Sequence, residues 1–218
     1  MNNPARHDLV WLDPAQLGAM ELEPEHHAEV ARWLAEGRPA VAARRGPCTP
    51  AGVACLGIPL PPSRGRARIA LRAPARALLR TRSPLRLAEV LAAAPPERRV
   101  ALAQLHGEAH GLGIMLRVHG SLAWQHLTGE PYTTDASDVD LLLAVASGWQ
   151  LGAALRLLLL WERRTGLVAD AEVALPAGGV AWRELAGGAA QVLVKREASV
   201  ALLARAEALA GLPAGGGP

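Results

Sequence analysis

Asp138 and Asp140 stand two residues apart in the run Ser137-Asp138-Val139-Asp140-Leu141-Leu142-Leu143. On a strand, that spacing points both side chains to one face, about 6.5–7 Å apart at Cα. Two carboxylates at such a separation repel unless something cationic lies between them. An all-oxygen pair close to a phosphate suits Mg²⁺, which keeps several waters and takes one or two carboxylates plus substrate phosphate. Such a centre organises in-line attack on a phosphorus atom. The leucines that follow mark a buried strand, which would set the pair at the edge of a core. Alone, Asp-x-Asp more often marks solvated acids in a turn.

A second feature precedes it. His119-Gly120-Ser121 falls where a strand hands over to a helix. A glycine there lets the backbone approach a ligand closely, and the helix N-terminus offers unpaired N–H groups to a phosphate. The serine can cap the helix and donate to a phosphate oxygen. Arg117, just before the turn, and Lys195, the only lysine in the chain, are further candidate phosphate contacts. Trp124 and Gln125 on the helix, and Thr128 and Tyr132 in the loop beyond it, are candidates to line a substrate pocket. For Trp124, core packing is the stronger reading. No P-loop and no G-x-G-x-x-G run occurs, so the Gly-Ser turn is where a phosphate would sit. His106 and His110 have helical i, i+4 spacing, but no Glu follows His106 and no third ligand is placed; they read as surface histidines.

The elements that must hold these residues follow from pattern. Pro96-Glu97 opens a helix that Gly111 and Gly113 close. Residues 114–118 form a short strand, 122–127 a helical run, and 139–145 a second strand. Ser147 caps a long helix reaching Arg164, with Leu151, Leu155, Leu158 and Leu159 on one face. Residues 167–175 form a third strand, 192–194 a fourth, and 198–210 a closing helix. Before Ala92-Ala93-Ala94-Pro95-Pro96, Pro and Gly recur too often for long helices other than one around 23–35. Short strands are expected at 40–43 and 67–71.

Bulk properties narrow the class. The 218 residues are 50% hydrophobic and 20% charged, enough to bury a core and unlike a disordered chain. The longest apolar run, 141–146, is far short of the roughly 20 residues of a membrane span. The N-terminus lacks the apolar stretch of an export signal, and Cys48 and Cys55 match no disulfide framework or common zinc spacing. A cytoplasmic protein is expected. Between Glu36 and Glu89 there is no acidic residue but eleven arginines: 38, 44, 45, 64, 66, 68, 72, 76, 80, 82 and 86. That block is +11 in a chain whose net charge is +3, which leaves −8 for the remainder. It predicts an anionic partner, or else a solubilising face in an Arg-biased chain. The lack of interleaved aromatic residues disfavours nucleic acid.

Together, Gly120-Ser121, Asp138-x-Asp140 and an acid on a later strand resemble the nucleotidyltransferase superfamily. The longer run from Gly120 to Gln125, then Thr128-Gly129, Tyr132 and Ser137 to Leu142, is similar to a narrower group. These are the malonate decarboxylase holo-acyl-carrier-protein synthases, or phosphoribosyl-dephospho-CoA transferases. Weaker echoes at 6–11, 37–41 and 181–185 extend the resemblance over most of the chain. Sixteen residues separate Ser121 from Asp138, longer than the superfamily pattern, and the loop at 128–134 fits the narrower group. The third acid is Asp170 or Glu172, two apart on one strand. The resemblance favours Asp170, in a family run Asp-Gly-Glu whose glycine is Ala171 here.

The resemblance implies an α/β (α+β) chain with a nucleotidyltransferase-type mixed β-sheet and flanking helices, preceded by a small Arg-rich α+β domain. The expected limits are 1–94 for substrate or carrier recognition, 95–211 for catalysis and 212–218 for a disordered tail. The implied donor is 2′-(5″-triphosphoribosyl)-3′-dephospho-CoA, the acceptor a serine of the acyl-carrier subunit of malonate decarboxylase, and the leaving group pyrophosphate. Asp138 and Asp140 would hold Mg²⁺. Asp170 would orient or deprotonate the serine, and Gly120 with Ser121 would hold phosphates. The arginine block would bind the donor's phosphates or steer the carrier. The alternatives are a nucleotidyltransferase that adenylylates a protein or small molecule with ATP, and a non-enzymatic carrier-binding assembly factor.

Overall fold

The structure is a computed structural model that describes residues 3–46, 48–65 and 67–216. Arg66 of the basic block, and Gly217 and Pro218 of the expected tail, lie outside the described residues. The chain divides into two compact units, Met1–Pro84 and Leu85–Pro218.

The first unit contains β1 (Leu9–Leu12), α1 (His27–Ala35), β2 (Ala40–Ala42), β3 (Val53–Pro59), β4 (Arg68–Pro74) and β5 (Leu78–Arg82). Its sheet has the order β4-β3-β2-β1-β5 and is antiparallel throughout. In β4 the alternation expected from Arg and apolar residues is realised: Ile69, Leu71 and Ala73 are buried while Arg68, Ala70 and Arg72 are exposed. α1 buries Val30, Trp33 and Leu34, and the Trp33 indole donates to the Pro39 carbonyl at 2.9 Å. The structure adds β1, β3 and β5 to the two strands read from sequence. β3 carries Gly57 and Cys55 in place of bulky residues, and the Arg68 side chain lies over Gly57 where a Cβ would be. That cross-strand fit is invisible in the order of residues.

The second unit runs β6 (Leu85–Arg86), α2 (Leu87–Val90), α3 (Pro96–Gly111), β7 (Met115–Val118), α4 (Gly120–Thr128), β8 (Val139–Ala144), α5 (Gly148–Thr165), β9 (Ala169–Leu175), β10 (Gly178–Ala181), α6 (Trp182–Ala186), β11 (Gln191–Lys195), β12 (Val200–Ala204) and α7 (Arg205–Ala208). Its seven strands lie in the order β12-β11-β10-β9-β8-β7-β6, with β8 and β9 parallel and the other pairs antiparallel. The architecture is therefore α+β with a mixed sheet. Leu141, Leu143, Val173, Val192 and Val194 fill the buried face of the sheet, with Leu102, Leu105, Leu158 and Trp161 buried on α3 and α5. The Ser147 hydroxyl caps α5 by accepting from the Gln150 amide at 3.2 Å, and Gly166 ends the helix at φ +70°. The Trp161 indole ties α5 to α3 through the Ala101 carbonyl at 2.9 Å.

Three expectations change. The closing helix expected over 198–210 is instead β12 followed by the single turn of α7. All five residues of Val200–Ala204 pair with β11, so a tertiary ladder overrides the local helix preference of Ala and Leu. β10, with two glycines in four residues, gave no strand signal, yet it pairs with β9 over its whole length. The units divide after Pro84, ten residues before the expected limit at 94, because β6 pairs with β7 and so draws residues 85–94 into the second unit. Within the tail, the Pro213 and Ala214 carbonyls accept from the Gly148 and Trp149 amides at the start of α5. No described helix is long and apolar enough to cross a membrane.

Candidate functional site

β8 and β9 run side by side in register, and Asp140 pairs with Asp170. Partners in a parallel pair share a face and lie about 4.8 Å apart. Both strands bury their alternate residues, Val139, Leu141 and Leu143 against Ala169, Ala171 and Val173, so the aspartates fall on the opposite face. Asp138 stands one residue before β8 and is exposed. Val139 is anchored to the other strand by its amide, which donates to the Val168 carbonyl at 2.8 Å. Asp138 thus stands at the mouth of β8, two residues before Asp140, just outside the strand as in the expected range 139–145.

Gly120 brings the start of α4 onto this pair. It has φ +63°, and a Cβ on it would lie 1.8 Å from Asp140 Oδ2. Only glycine accommodates both the left-handed backbone and the carboxylate. The next amide, Ser121 N–H, donates to the Asp140 carboxylate. The His119 amide donates to the Asp140 carbonyl at 3.2 Å. In this structure the Gly-Ser turn thus holds an aspartate directly, where the sequence suggested a cradle for phosphate.

The electrostatics agree with that crowding. The Asp140 carboxyl is raised from 3.8 to about 6, first by burial and then by the charge of Asp170, with Asp138 adding to it; the Ser121 N–H opposes the shift. The charges of Asp170 and Asp138 thus add to burial at Asp140, and the Ser121 N–H offsets them only in part. Lys195 does not offset them, because its ammonium pairs with Glu172 at 3.3 Å. Glu172 itself lies over Gly179, where a Cβ would meet its Oε1 at 2.0 Å. Between the two acids of β9, Asp170 joins the aspartates and Glu172 joins the lysine.

This donor set is hard and oxygen-only, which fits Mg²⁺ rather than a softer metal. Among the described residues, no group of three or more His, Cys, Asp or Glu side chains is placed to hold a metal ion. Asp138 and Asp140 would hold such an ion only together with ligands from outside the chain.

The other candidates separate into two sets. Arg117 is half-buried on β7, in register with Arg86 on one side and Leu142 on the other. Leu142 in turn pairs with Glu172, so Arg117, Leu142 and Glu172 form one row across the aspartate face. Trp124 and Tyr132 are both buried, each 5% exposed, as core side chains are. Gln125 is committed to the chain itself: its Oε1 accepts from the Tyr132 amide (3.1 Å), the Thr133 amide (3.0 Å) and the Thr133 hydroxyl (2.7 Å). Its Nε2 donates to the Ala93 carbonyl at 2.7 Å.

One residue near the site carried no sequence signal. Arg98 on α3 is the single buried charged residue among those described, 8% exposed. Its guanidinium donates to the Ser137 carbonyl at 2.6 Å and to the Asp135 carbonyl. In a chain with 22 arginines, nothing in its neighbourhood marked it out.

Comparison with known proteins is consistent across the chain. Residues 5–84 match the family profile of the phosphoribosyl-dephospho-CoA transferase MdcG N-terminal domain, and residues 74–206 that of the MdcG C-terminal domain. A phosphoribosyl-dephospho-CoA transferase of Xanthomonas campestris pv. campestris is 45% identical over 201 residues, covering 92% of this chain and 94% of its own. Those of Bradyrhizobium diazoefficiens (37% identical, 95% and 93% covered) and Pseudomonas aeruginosa (34%, 92% and 92%) are similar over the same extent. No solved structure matches the chain. With both domain profiles matched in order and relatives aligned nearly end to end, the chain belongs to the phosphoribosyl-dephospho-CoA transferase family.

Proposed function

We propose that this protein transfers the phosphoribosyl-dephospho-CoA group from 2′-(5″-triphosphoribosyl)-3′-dephospho-CoA to a serine of the acyl-carrier subunit of malonate decarboxylase. The serine oxygen forms a bond to the α-phosphorus, the bond to the bridging oxygen breaks, and pyrophosphate leaves. The observation that carries this reading is the registered pair Asp140 and Asp170, with Gly120 closed over Asp140.

Asp138 and Asp140 would hold Mg²⁺, which supplies charge neutralisation for the triphosphate and orients it for in-line attack. Asp170, exposed at the start of β9, accepts the proton of the serine hydroxyl or orients that hydroxyl toward phosphorus. Gly120 and Ser121 hold Asp140 in place and present the first turn of α4 to the leaving phosphates. Arg117 lies in the row next to Asp140 and Asp170 and offers a guanidinium to phosphate oxygens. Lys195 does so as a point charge once drawn from Glu172. No covalent enzyme intermediate is required, because positioning and charge neutralisation suffice for phosphoryl transfer.

Intact-mass spectrometry tests this directly. Apo carrier subunit is incubated with the protein, Mg²⁺ and the triphosphoribosyl donor, beside Asp138→Ala and an ATP-only control. A mass gain equal to phosphoribosyl-dephospho-CoA, absent in the variant, is the expected result. An adenylyl gain with ATP alone would assign the site to nucleotide transfer instead. Full biological activity of Asp138→Ala would assign the chain to carrier assembly without catalysis.

A further inference from the structure

The loop from Gly129 to Asp138 has no helix or strand of its own, yet it delivers a carboxylate to the site. A loop of this length samples many conformations unless side chains outside it fix its backbone. Two do so, from different elements. At the near end, Gln125 on α4 accepts three hydrogen bonds, from Tyr132 and Thr133, while its amide nitrogen is held by Ala93. At the far end, Arg98 on α3 donates to the carbonyls of Asp135 and Ser137, the latter directly before Asp138. Between them the loop closes on itself: Ser137 N–H donates to the Thr134 carbonyl (2.9 Å) and Thr134 N–H to the Ser137 hydroxyl (2.9 Å).

Arg98 is an expensive residue for this duty. Burying a guanidinium costs free energy unless its donors are satisfied, and most buried arginines find a carboxylate. Arg98 spends its fork on two backbone carbonyls of the loop instead. Its planar geometry fixes the two carbonyls relative to each other, which a lysine cannot do.

We propose that Arg98 and Gln125 are positioning residues that clamp the 129–138 loop and so set Asp138 against Asp140. This inference rests on the reading of the aspartates as a metal-dependent transfer site. It assigns Gln125 a role in the loop rather than in the substrate pocket. Neither residue touches the reacting atoms in this scheme; each acts through Asp138.

The test compares the wild type with Arg98→Lys, Gln125→Leu and Gln125→Glu. Gln125→Glu keeps an acceptor for the Tyr132 and Thr133 donors but loses the Nε2 donor to Ala93, whereas Gln125→Leu removes both. Arg98→Lys keeps the charge and most of the side-chain volume, where Arg98→Ala would leave a hole. Three quantities are read: Mn²⁺ half-saturation of the free protein by electron paramagnetic resonance, amide exchange over 132–139, and kcat against donor KM. Arg98→Lys and Gln125→Leu are expected to raise the Mn²⁺ half-saturation by about 10-fold, the usual scale for losing a residue that orients a ligand. Exchange over 132–139 should quicken and kcat fall while donor KM holds, and Gln125→Glu, which keeps an acceptor for Tyr132 and Thr133 but loses the donor to Ala93, should move all three less than Gln125→Leu. Lower thermal stability with unchanged Mn²⁺ binding and unchanged exchange would overturn the clamp, as would a wild type that binds no Mn²⁺. A wild type that binds Mn²⁺ but transfers nothing would overturn the transfer reading, and the Mn²⁺ and exchange shifts would still decide the clamp.

Discussion

A Cβ on Gly120 would sit 1.8 Å from Asp140 Oδ2, so the helix that follows β7 and the carboxylate on β8 are built around one missing side chain. Gly120→Ala must therefore displace either the carboxylate or the start of α4. Gly129→Ala is the matched control. It has a similar left-handed φ of +73° but nothing within 4 Å of the added atom, so it carries only backbone strain. Both variants should lose about 1–2 kcal/mol from the left-handed conformation. Only Gly120→Ala should lose transfer activity, by roughly 100-fold or more as for a misplaced reacting geometry. Equal losses of activity in the two variants would sever the link between Gly120 and the site.

The charge state of Asp140 makes a prediction about stability. Its carboxyl is raised in the folded protein to about 6 from 3.8, so the folded state holds the proton more tightly than the unfolded chain. Stability is then greatest below pH 4 for this group and is lost as pH rises through the window from 4 to 6. The loss at pH 7 is on the order of 2–3 kcal/mol. Asp140→Asn should remove that dependence, raise the Tm at neutral pH by several degrees, and abolish transfer. Added Mg²⁺ should stabilise the wild type and leave Asp140→Asn nearly unmoved. Thermal melts at pH 4, 6 and 7.5 check all three statements.

Asp170 and Glu172 make a paired prediction, since one faces Asp140 in register and the other pairs with Lys195. Asp170→Asn should lower kcat by roughly 10²–10⁴-fold, the range for losing a general base. Glu172→Gln frees Lys195 and should change donor KM more than kcat. Steady-state kinetics on the two variants separate the roles, and an Asp170→Asn enzyme with normal kcat would reverse them.

The site was legible where residue type and local geometry coincide. Gly120 and the Asp138–Asp140 pair declare themselves because a strand-to-helix turn and a period-two alternation are short-range patterns. Strands β7, β8, β9 and β11 and the long helices α3 and α5 followed for the same reason, down to the Ser147 cap. What could not be read depends on partners distant in sequence. β12 is a strand only because β11 lies beside it. Glu172 and Asp170 are equivalent by spacing, and register with Asp140 and a lysine 23 residues on tells them apart. Arg98 reaches carbonyls 37 and 39 residues away, so no window of sequence contains both ends of the contact. Lys195 and Gln125 stood out by type, but their partners lie within the chain.

The basic block also acquires a shape. Register across the first unit's sheet puts Arg68 and Arg72 of β4 on the same face as Arg80 and Arg82 of β5, through Gly57, Val41, Leu9 and Trp11. Arg80 stacks on Trp11 at 4.7 Å, and Arg72 meets Glu21 at 3.5 Å on the surface. The two arginine pairs lie on opposite edges, four strand spacings or about 19 Å apart. Charge spread so widely over a sheet suits an acidic protein surface better than one compact phosphate group. Arg68→Glu with Arg72→Glu should therefore lower kcat/KM for the carrier and flatten its salt dependence, because long-range steering acts mainly on association rate. The kcat at saturating carrier and the donor KM should hold. A rise in donor KM with carrier kinetics unchanged would hand this face to the donor's phosphates instead. Assays from 50 to 300 mM salt, roughly the range over which screening shortens to a few ångströms, distinguish the two outcomes.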